Sequence, residues 1–387
     1  MLRHLMRRAV EAGLPPALLG WRQVRRLDPE TWLAGNPGRG ETIHVPATAR
    51  NPLPRNVASR EALDPDPGWW GFSFRDVPAR RSGPTRLLHL GPGRIVTYGG
   101  PGEDDEFHPA ILTAGEAFEL DQIVFRPPHG AVLRRRPPPA CIGRATWILE
   151  RVYHNHSHWL TAHLPKLVLL RDRGGLGDVL LPRRLTPVME ASLRMLGLDP
   201  EGFTRFEPGG VLEVEELTAL QSDRFRPGLL RPVRDALAPP GVEPRRRVFV
   251  SRARARGRDL LEEETLWPAL ERRGFERVLM EEHDFAGQIR LMAETAILVA
   301  PHGAGLTNMM FCAPGAHVVE IADTAYPNPN FYALASAMGL NYWLVPAEGV
   351  GEGHSLHRDL TVRPEAVLEA VDQALDEGPE ALERAVP

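Results

Sequence analysis

The clearest periodicity lies in the second half of the chain. Short apolar runs (RVFVSR, FERVLM, ILVAP, HVVEIA, NYWLVPA) alternate there with amphipathic stretches (EETLWPALERRG, FAGQIRLMAETA, NFYALASAMGL, RPEAVLEAVDQALDE). Continuous apolar strands separated by helices predict a parallel sheet covered on both faces, a doubly wound α/β domain. GLTNMMF opens a further helix directly after ILVAP. In the first half, LLHLGPG, RIVTYGG, ILTAGEAFEL and QIVFRPPHG read as short strands or hairpins bounded by Gly and Pro. HWLTAHLPKLVLL and LTPVMEASLRMLGL read as helices, DVLLP and VLEVEELTAL as strands, and this alternation predicts a second α/β layer structure. Residues 1–80 lack periodicity and are rich in Pro and Arg, so they read as an irregular N-terminal extension packed down by Trp69 and Trp70. The segment 226–247, a helix followed by a Pro/Gly break, reads as the linker. The expected division is an extension at 1–80, domains at 81–235 and 236–362, and a C-terminal helix at 363–387.

A chain of 387 residues exceeds what one hydrophobic core usually serves, in keeping with two domains. The formal net charge of −4 argues against a nucleic-acid partner, and Lys166 is the single lysine. Cys141 and Cys312 cannot form a disulfide framework, which fits a reducing, cytoplasmic compartment. No apolar run reaches the roughly 18–20 residues that span a bilayer. The segment MLRHLMRRAV lacks the apolar core of a signal peptide and reads as a solvated surface helix, with peripheral contact at the inner face of a membrane as the alternative.

Three stretches carry candidate chemistry. In an open parallel sheet, ligands bind outside the carboxyl ends of the strands. His302-Gly303-Ala304-Gly305 follows a strand there and leads into a helix near Leu306. Glycine lets backbone approach a ligand, and the N–H groups of a helix start favour phosphate. Thr307 and Asn308 add side-chain donors. At the end of an earlier strand, Ser251 and Arg252 stand on the same side, with Arg254, Arg256 and Arg258 in the following loop and Glu262, Glu263 and Glu264 behind. Arg252 with Arg258 facing a diphosphate is the sharper reading, a solvated charged loop the plainer one. Glu320 closes HVVEIA, where it either accepts from ribose hydroxyls or forms a salt bridge, and Gln288 holds the glycine loop. In YHNHSHWLTAHLPKL, the spacing of His154, His156 and His158 does not suit zinc. His158 or His163 reads instead as a general base or as a satisfied core histidine.

Together these stretches resemble glycosyltransferase family 61. The family's Ser-Arg element with a second arginine and an acid is matched by Ser251, Arg252, Arg258 and Glu263. Its Phe and Gln are matched by Phe285 and Gln288, its HGAGLTN by 302–308, its strand-ending glutamate by Glu320, and its aromatic-His-Trp run by HWLTAHLPKL with Lys166 replacing arginine. The resemblance covers about 145–325. It implies a GT-B architecture of two Rossmann-like domains facing a cleft, acceptor side first and donor side second. It also implies an inverting, metal-independent transfer from a nucleotide-sugar, a UDP-sugar, to a glycan, lipid-linked glycan or protein acceptor, with no other cofactor and room for a homodimer. Two departures stand out: Ala162 occupies the place of an acidic residue four positions after the helix histidine, and Glu262 that of an asparagine.

Other readings fare worse. An α/β-hydrolase needs a Gly-x-Ser-x-Gly elbow and a P-loop needs Gly-Lys, and the chain has neither. Asp64-Pro65-Asp66 mimics a metal-binding DxD but reads as a turn between prolines. A non-catalytic nucleotide-sugar or glycan-binding protein, or a scaffold on a transferase fold, is the standing alternative that Ala162 raises.

Overall fold

The computed structural model describes residues 24–99, 107–135, 139–254, 257–352 and 357–378. The MLRHLMRRAV helix, Arg256 and the end of the C-terminal helix fall outside the described residues. The chain is a mixed α/β protein that divides into two compact units, one of 1–45, 83–186 and 199–223, the other of 46–82, 187–198 and 224–387.

The first unit is built on a seven-stranded sheet of β1 (Arg26–Leu27), β2 (Gly40–His44), β3 (Thr85–Tyr98), β4 (His108–Thr113), β5 (Glu116–Phe118), β6 (Ala140–Trp147) and β7 (Val211–Gln221). The order is β1-β5-β4-β3-β7-β6, with β2 also on β3. Its pairing corrects the expected Rossmann-like parallel sheet: β3 runs antiparallel to β2, β4 and β7, and β4 to β5, while β7–β6 and β1–β5 are parallel. The short link at Ala114 (φ 50°) and Gly115 (φ 81°) permits only an antiparallel return. LLHLGPG and RIVTYGG, read as two strands, are one: Gly91 (φ 75°) sits opposite a register shift in β7, so the strand bends without ending. Within QIVFRPPHG the prolines start a helix, α1 (Pro127–Arg135), because the first helical position needs no N–H. Its Val132 and Leu133 pack on Val96, Ala110, Leu112 and Phe125.

The second unit contains the sheet of β8 (Arg246–Val250), β9 (Phe275–Val278), β10 (Thr295–Pro301), β11 (His317–Asp323), β12 (Asn341–Val350) and β13 (Asp359–Thr361), ordered β9-β8-β10-β11-β12-β13. All neighbours are parallel except β12 and β13, a terminal antiparallel strand that periodicity missed. Phe249, Val299, Val319, Ile321 and Trp343 from the sheet bury against Leu266 and Leu270 of α2 (Glu263–Arg272) and Val367 and Val371 of α3 (Pro364–Glu377). The helix expected at the start of the linker segment is Pro227–Leu237, and it belongs to this unit, burying Leu229, Leu230, Val233 and Leu237. Part of the supposed extension belongs here too, since Ala47–Thr48 pairs with Arg81–Ser82 and the Arg55 N–H donates to the Tyr342 carbonyl at 2.7 Å. Among the described residues no helix is long and apolar enough to cross a membrane.

Candidate functional site

Strand order reverses in the second unit between β8 and β10, since β9 lies on the far side of β8. This is the topological switch point of an open parallel sheet, where ligands enter at the carboxyl ends. Ser251 and Arg252 follow β8 there, and His302 and Gly303 follow β10. The sequence places both motifs, separated by fifty residues, at one edge because parallel neighbours end together.

Arg252 is held by its own loop: Nε donates to the Arg258 carbonyl at 3.1 Å and Nη2 to the Gly257 carbonyl at 2.9 Å. Its Nη1 crosses directly over Gly303, where a Cβ would lie 2.0 Å away. Gly303 has extended backbone (φ 172°), so what an added side chain would have to displace there is the guanidinium above it, not a backbone restriction. Gly305, by contrast, has room, with the nearest atom 3.6 Å from an added Cβ. Arg258 is a bulky residue in the left-handed region (φ 62°), next to Gly257 (φ 74°), a conformation that persists only when its surroundings enforce it. The enforcement comes from β13: the Asp259 N–H donates to Asp359 at 3.0 Å, and Glu262 accepts from Thr361 Oγ1 at 2.6 Å and the Val362 N–H at 3.0 Å.

Among the described residues neither Arg252 nor Arg258 lies within ion-pair distance of a carboxylate, and the buried Nε of Arg258 has no partner. Poor hydration pulls the Arg252 guanidinium below its usual range, partly offset by Asp259 and Glu281. Arg258 is pulled down to about 10, first by burial and then by the charge of Arg252. Two poorly hydrated, mutually repelling guanidiniums are unfavourable alone and favourable around an anion.

The segment after β10 is a 3₁₀ helix, Ala304–Phe311, rather than an α-helix. Several expected ligand contacts are redirected inward. The Leu306 N–H already donates to the Gly303 carbonyl at 2.9 Å, so backbone donors remain only at 303–305. Ala304 and Gly305 are half-buried, whereas Thr307 and Asn308 are buried. Asn308 Nδ2 donates to Gln288 Oε1 at 3.0 Å, and Gln288 Nε2 donates to the carbonyls of Met280 at 2.9 Å and His283 at 3.1 Å. Ser251 Oγ donates to Glu263 at 2.6 Å, and Thr307 Oγ1 is buried without a partner.

Glu320 faces the protein interior. It is fully buried, its Oε1 lies 2.5 Å from His302 Nδ1, and its Oε2 accepts from the Tyr342 hydroxyl at 2.6 Å. Burial, then Glu320, raises the Tyr342 hydroxyl well above its ordinary range. Asn328 Oδ1 accepts from the Asn330 N–H, which turns Nδ2 towards His302 Nε2 at 3.2 Å. His302 is therefore an oriented, buried ring between Tyr326 and Phe331, with the glycine segment starting from its backbone. Tyr326, Asn328 and Tyr342 escaped the sequence reading because they sit in a loop and a strand without motif spacing.

In the first unit His158 is half-buried in the first turn of a helix that Asn155 caps. Residues Trp159–His163 form a π-helical turn, a frequent marker of functional helices. His163 does not suit a general base: it is buried, its Nε2 accepts from the Glu150 N–H at 3.0 Å and its Nδ1 donates to the His158 carbonyl at 3.0 Å. With both nitrogens engaged by backbone it is a core histidine. Trp159 and Ala162 are buried beside it. Lys166, also buried, pairs with Glu150 and reaches the Ile148 carbonyl at 3.3 Å. Val152 between these groups holds φ 60°, a strained value for a β-branched residue. Asp121 sits at a tight turn (φ 51°) with its residue surface exposed, while its carboxyl group is crowded by Glu150 and Lys166. Burial, then Glu150, raises its carboxyl to about 7, against the opposing effect of Lys166. No motif marked Asp121, because its partners converge from distant segments. Among the described residues no three His, Cys, Asp or Glu side chains are grouped to hold a metal ion. Asp64 and Asp66 accept from the N–H groups of Asp66 at 2.8 Å and Gly68 at 2.7 Å, the geometry of a turn.

Comparison with known proteins falls on these same elements. Residues 156–319 match the family described as Glycosyltransferase 61. The chain is similar to the beta-1,2-xylosyltransferase of Arabidopsis thaliana, at 26% identity over 89 residues. That stretch is 23% of this chain and 15% of the length of the relative. The matched range opens at the helix of His158, crosses Arg252, Arg258 and HGAGLTN, and ends in β11: the chain carries a glycosyltransferase 61 domain over residues 156–319.

Proposed function

We propose that the protein is an inverting, metal-independent glycosyltransferase that moves a sugar from a nucleotide-sugar, a UDP-sugar, to a hydroxyl of a glycan, lipid-linked glycan or protein. The observation that carries this reading is the pair Arg252 and Arg258, poorly hydrated and without carboxylate partners among the described residues, with Arg252 set over Gly303 at the sheet's switch point. A leaving diphosphate needs two cations or a metal ion to take up its developing charge, and preorganised guanidiniums serve that end. In the transfer, the bond from the anomeric carbon to the phosphate oxygen breaks and the acceptor oxygen bonds from the opposite face. The diphosphate departs to the arginines, and the acceptor proton goes to a base. The division of labour is GT-B-like, with the donor held by the second unit and the acceptor served by the first. A cytoplasmic location with peripheral contact at the inner membrane face accompanies this reading.

Titration calorimetry with UDP, GDP, CMP and dTDP, each with magnesium and with EDTA, tests the donor site. Micromolar binding of one nucleotide, unchanged by EDTA, supports the reading. Binding of none removes it, and binding without turnover on any acceptor leaves the scaffold alternative.

Asp121 is the proposed base in the first unit, with His158 next in line. Its carboxyl, raised to about 7, is competent once ionised, so the rate should climb with pH and level off above 7. Asp121→Asn is expected to lower kcat by roughly 100-fold or more and to erase that limb of the profile. A retained limb in Asp121→Asn would move the role to His158.

A further inference from the structure

We infer that Asp323 is a ribose-binding residue of the donor site, its carboxylate accepting from the 2′- or 3′-hydroxyl of a ribonucleoside diphosphate. This rests on the donor-site reading above and extends it from the phosphates to the sugar of the nucleotide.

Asp323 is the last residue of β11, and the pairing of β11 with β10 sets it beside the glycine segment. Pro301 and Ile321 are register partners. Gly303 and Asp323 therefore each stand two residues beyond the same pair, on neighbouring strands roughly 5 Å apart. Side chains alternate along a strand, so these two positions share the face of Val299, Val319 and Ile321. His302 and Glu320 meet on the opposite face. At Gly303 the Arg252 guanidinium occupies the place of a side chain. One strand over, on the same face, Asp323 supplies an acceptor.

That acceptor is held in place but not used. Asp323 is 6% exposed, and its Oδ1 accepts from the Ala325 N–H at 2.8 Å, which fixes the turn. Oδ2 is buried without a hydrogen-bond partner. It leans over Gly349 of β12, where an added Cβ would lie 2.6 Å from it. A buried acceptor lacking a donor is unfavourable alone, and a ligand hydroxyl supplies the donor. The surroundings tie Asp323 to the arginines. β12 runs on past Ala347, the register partner of Asp323, to pair with β13, whose Leu360 bridges to Leu260 of the arginine loop. Tyr326, whose N–H donates to the Asp323 carbonyl at 3.2 Å, feels the charge of Arg258. In a nucleoside diphosphate the ribose directly follows the phosphates, and carboxylates near the strand ends of such sheets accept from its hydroxyls.

The test titrates wild type, Asp323→Ala, Gly349→Ala and Arg252→Ala with UDP, 2′-deoxy-UDP, 3′-deoxy-UDP and inorganic pyrophosphate. Wild type should bind UDP about tenfold or more tighter than at least one deoxy form. Asp323→Ala should weaken UDP by a similar factor, to the level of that deoxy form. It should bind pyrophosphate at least as tightly as wild type, since a negative charge has gone. Gly349→Ala, whose Cβ displaces the carboxylate, should show the same levelling and decides the question if Asp323→Ala does not fold. Ribose preference kept in either folded variant overturns the assignment, as does a wild type without that preference. So does a loss in Asp323→Ala that is equal for UDP and pyrophosphate, which would make the residue structural. If Arg252→Ala abolishes binding of both ligands while Asp323→Ala keeps the ribose preference, the donor site stands and only the ribose contact falls. If wild type binds neither UDP nor pyrophosphate, both fall.

Discussion

Arg252→Ala is expected to weaken nucleoside diphosphate binding by at least ~100-fold, while the unfolding free energy shifts by no more than about 1 kcal/mol. Hydrogen bonds to charged groups contribute about 1.5–3 kcal/mol each, and a guanidinium can offer two to one phosphate. The small stability change follows from two opposed effects. The carbonyls of Gly257 and Arg258 lose their donor, but a poorly hydrated charge and its repulsion of Arg258 disappear. Arg258, pulled down only to about 10, stays charged near pH 7, so its repulsion of Arg252 does not change with pH there. Gly303→Ala should mimic the loss by about tenfold or more, because its Cβ would displace Nη1, whereas Gly305→Ala should bind almost as wild type. Calorimetry and urea denaturation on the three variants check this together. If Arg252→Ala loses stability and binding in proportion, the arginine is structural and the donor site is elsewhere.

The second unit was legible in the sequence because parallel strands buried on both faces leave apolar runs: β8, β10 and β12 each carry one and β11 is broken only by the buried Glu320, whereas the edge strand β9 exposes Glu276. Both phosphate-side motifs could be placed from the strand ends alone. The first unit was not legible in the same way. Its sheet mixes directions, β3 is interrupted in composition by Gly91-Pro92-Gly93 but not in geometry, and the prolines of α1 mark a start and not a break. Side-chain roles were harder still. HGAGLTN suggested seven ligand-facing residues, yet Thr307 and Asn308 turn inward and the Leu306 N–H is already bonded. Spacing reveals which residues share a loop, but not which of them the fold consumes. Asp121 shows the converse, since its carboxyl is raised by burial and then by Glu150, about thirty positions away, against the opposing charge of Lys166.

The largest stability effect should come from Glu320. In Glu320→Ala, His302 Nδ1 and the Tyr342 hydroxyl both lose their acceptor in a site closed to water. Breaking a buried charged network by removing one member costs about 3–5 kcal/mol, since the remaining groups stay desolvated. Tyr342→Phe removes one donor and leaves the carboxylate its contact with His302, so its loss should be smaller, about 1.5–3 kcal/mol. Tyr342 also stacks on Tyr332 at 4.9 Å, a contact the phenylalanine ring keeps. Urea denaturation at neutral pH separates the two. Binding should fall with Glu320→Ala as well, because His302 anchors the backbone from which Gly303 rises beneath Arg252. A ribose-binding glutamate would behave oppositely: its removal would spare stability and weaken only ligands that carry ribose, leaving pyrophosphate untouched. Equal loss of pyrophosphate and nucleotide, together with a stability loss greater than that of Tyr342→Phe, would assign Glu320 to the scaffold of the anion site.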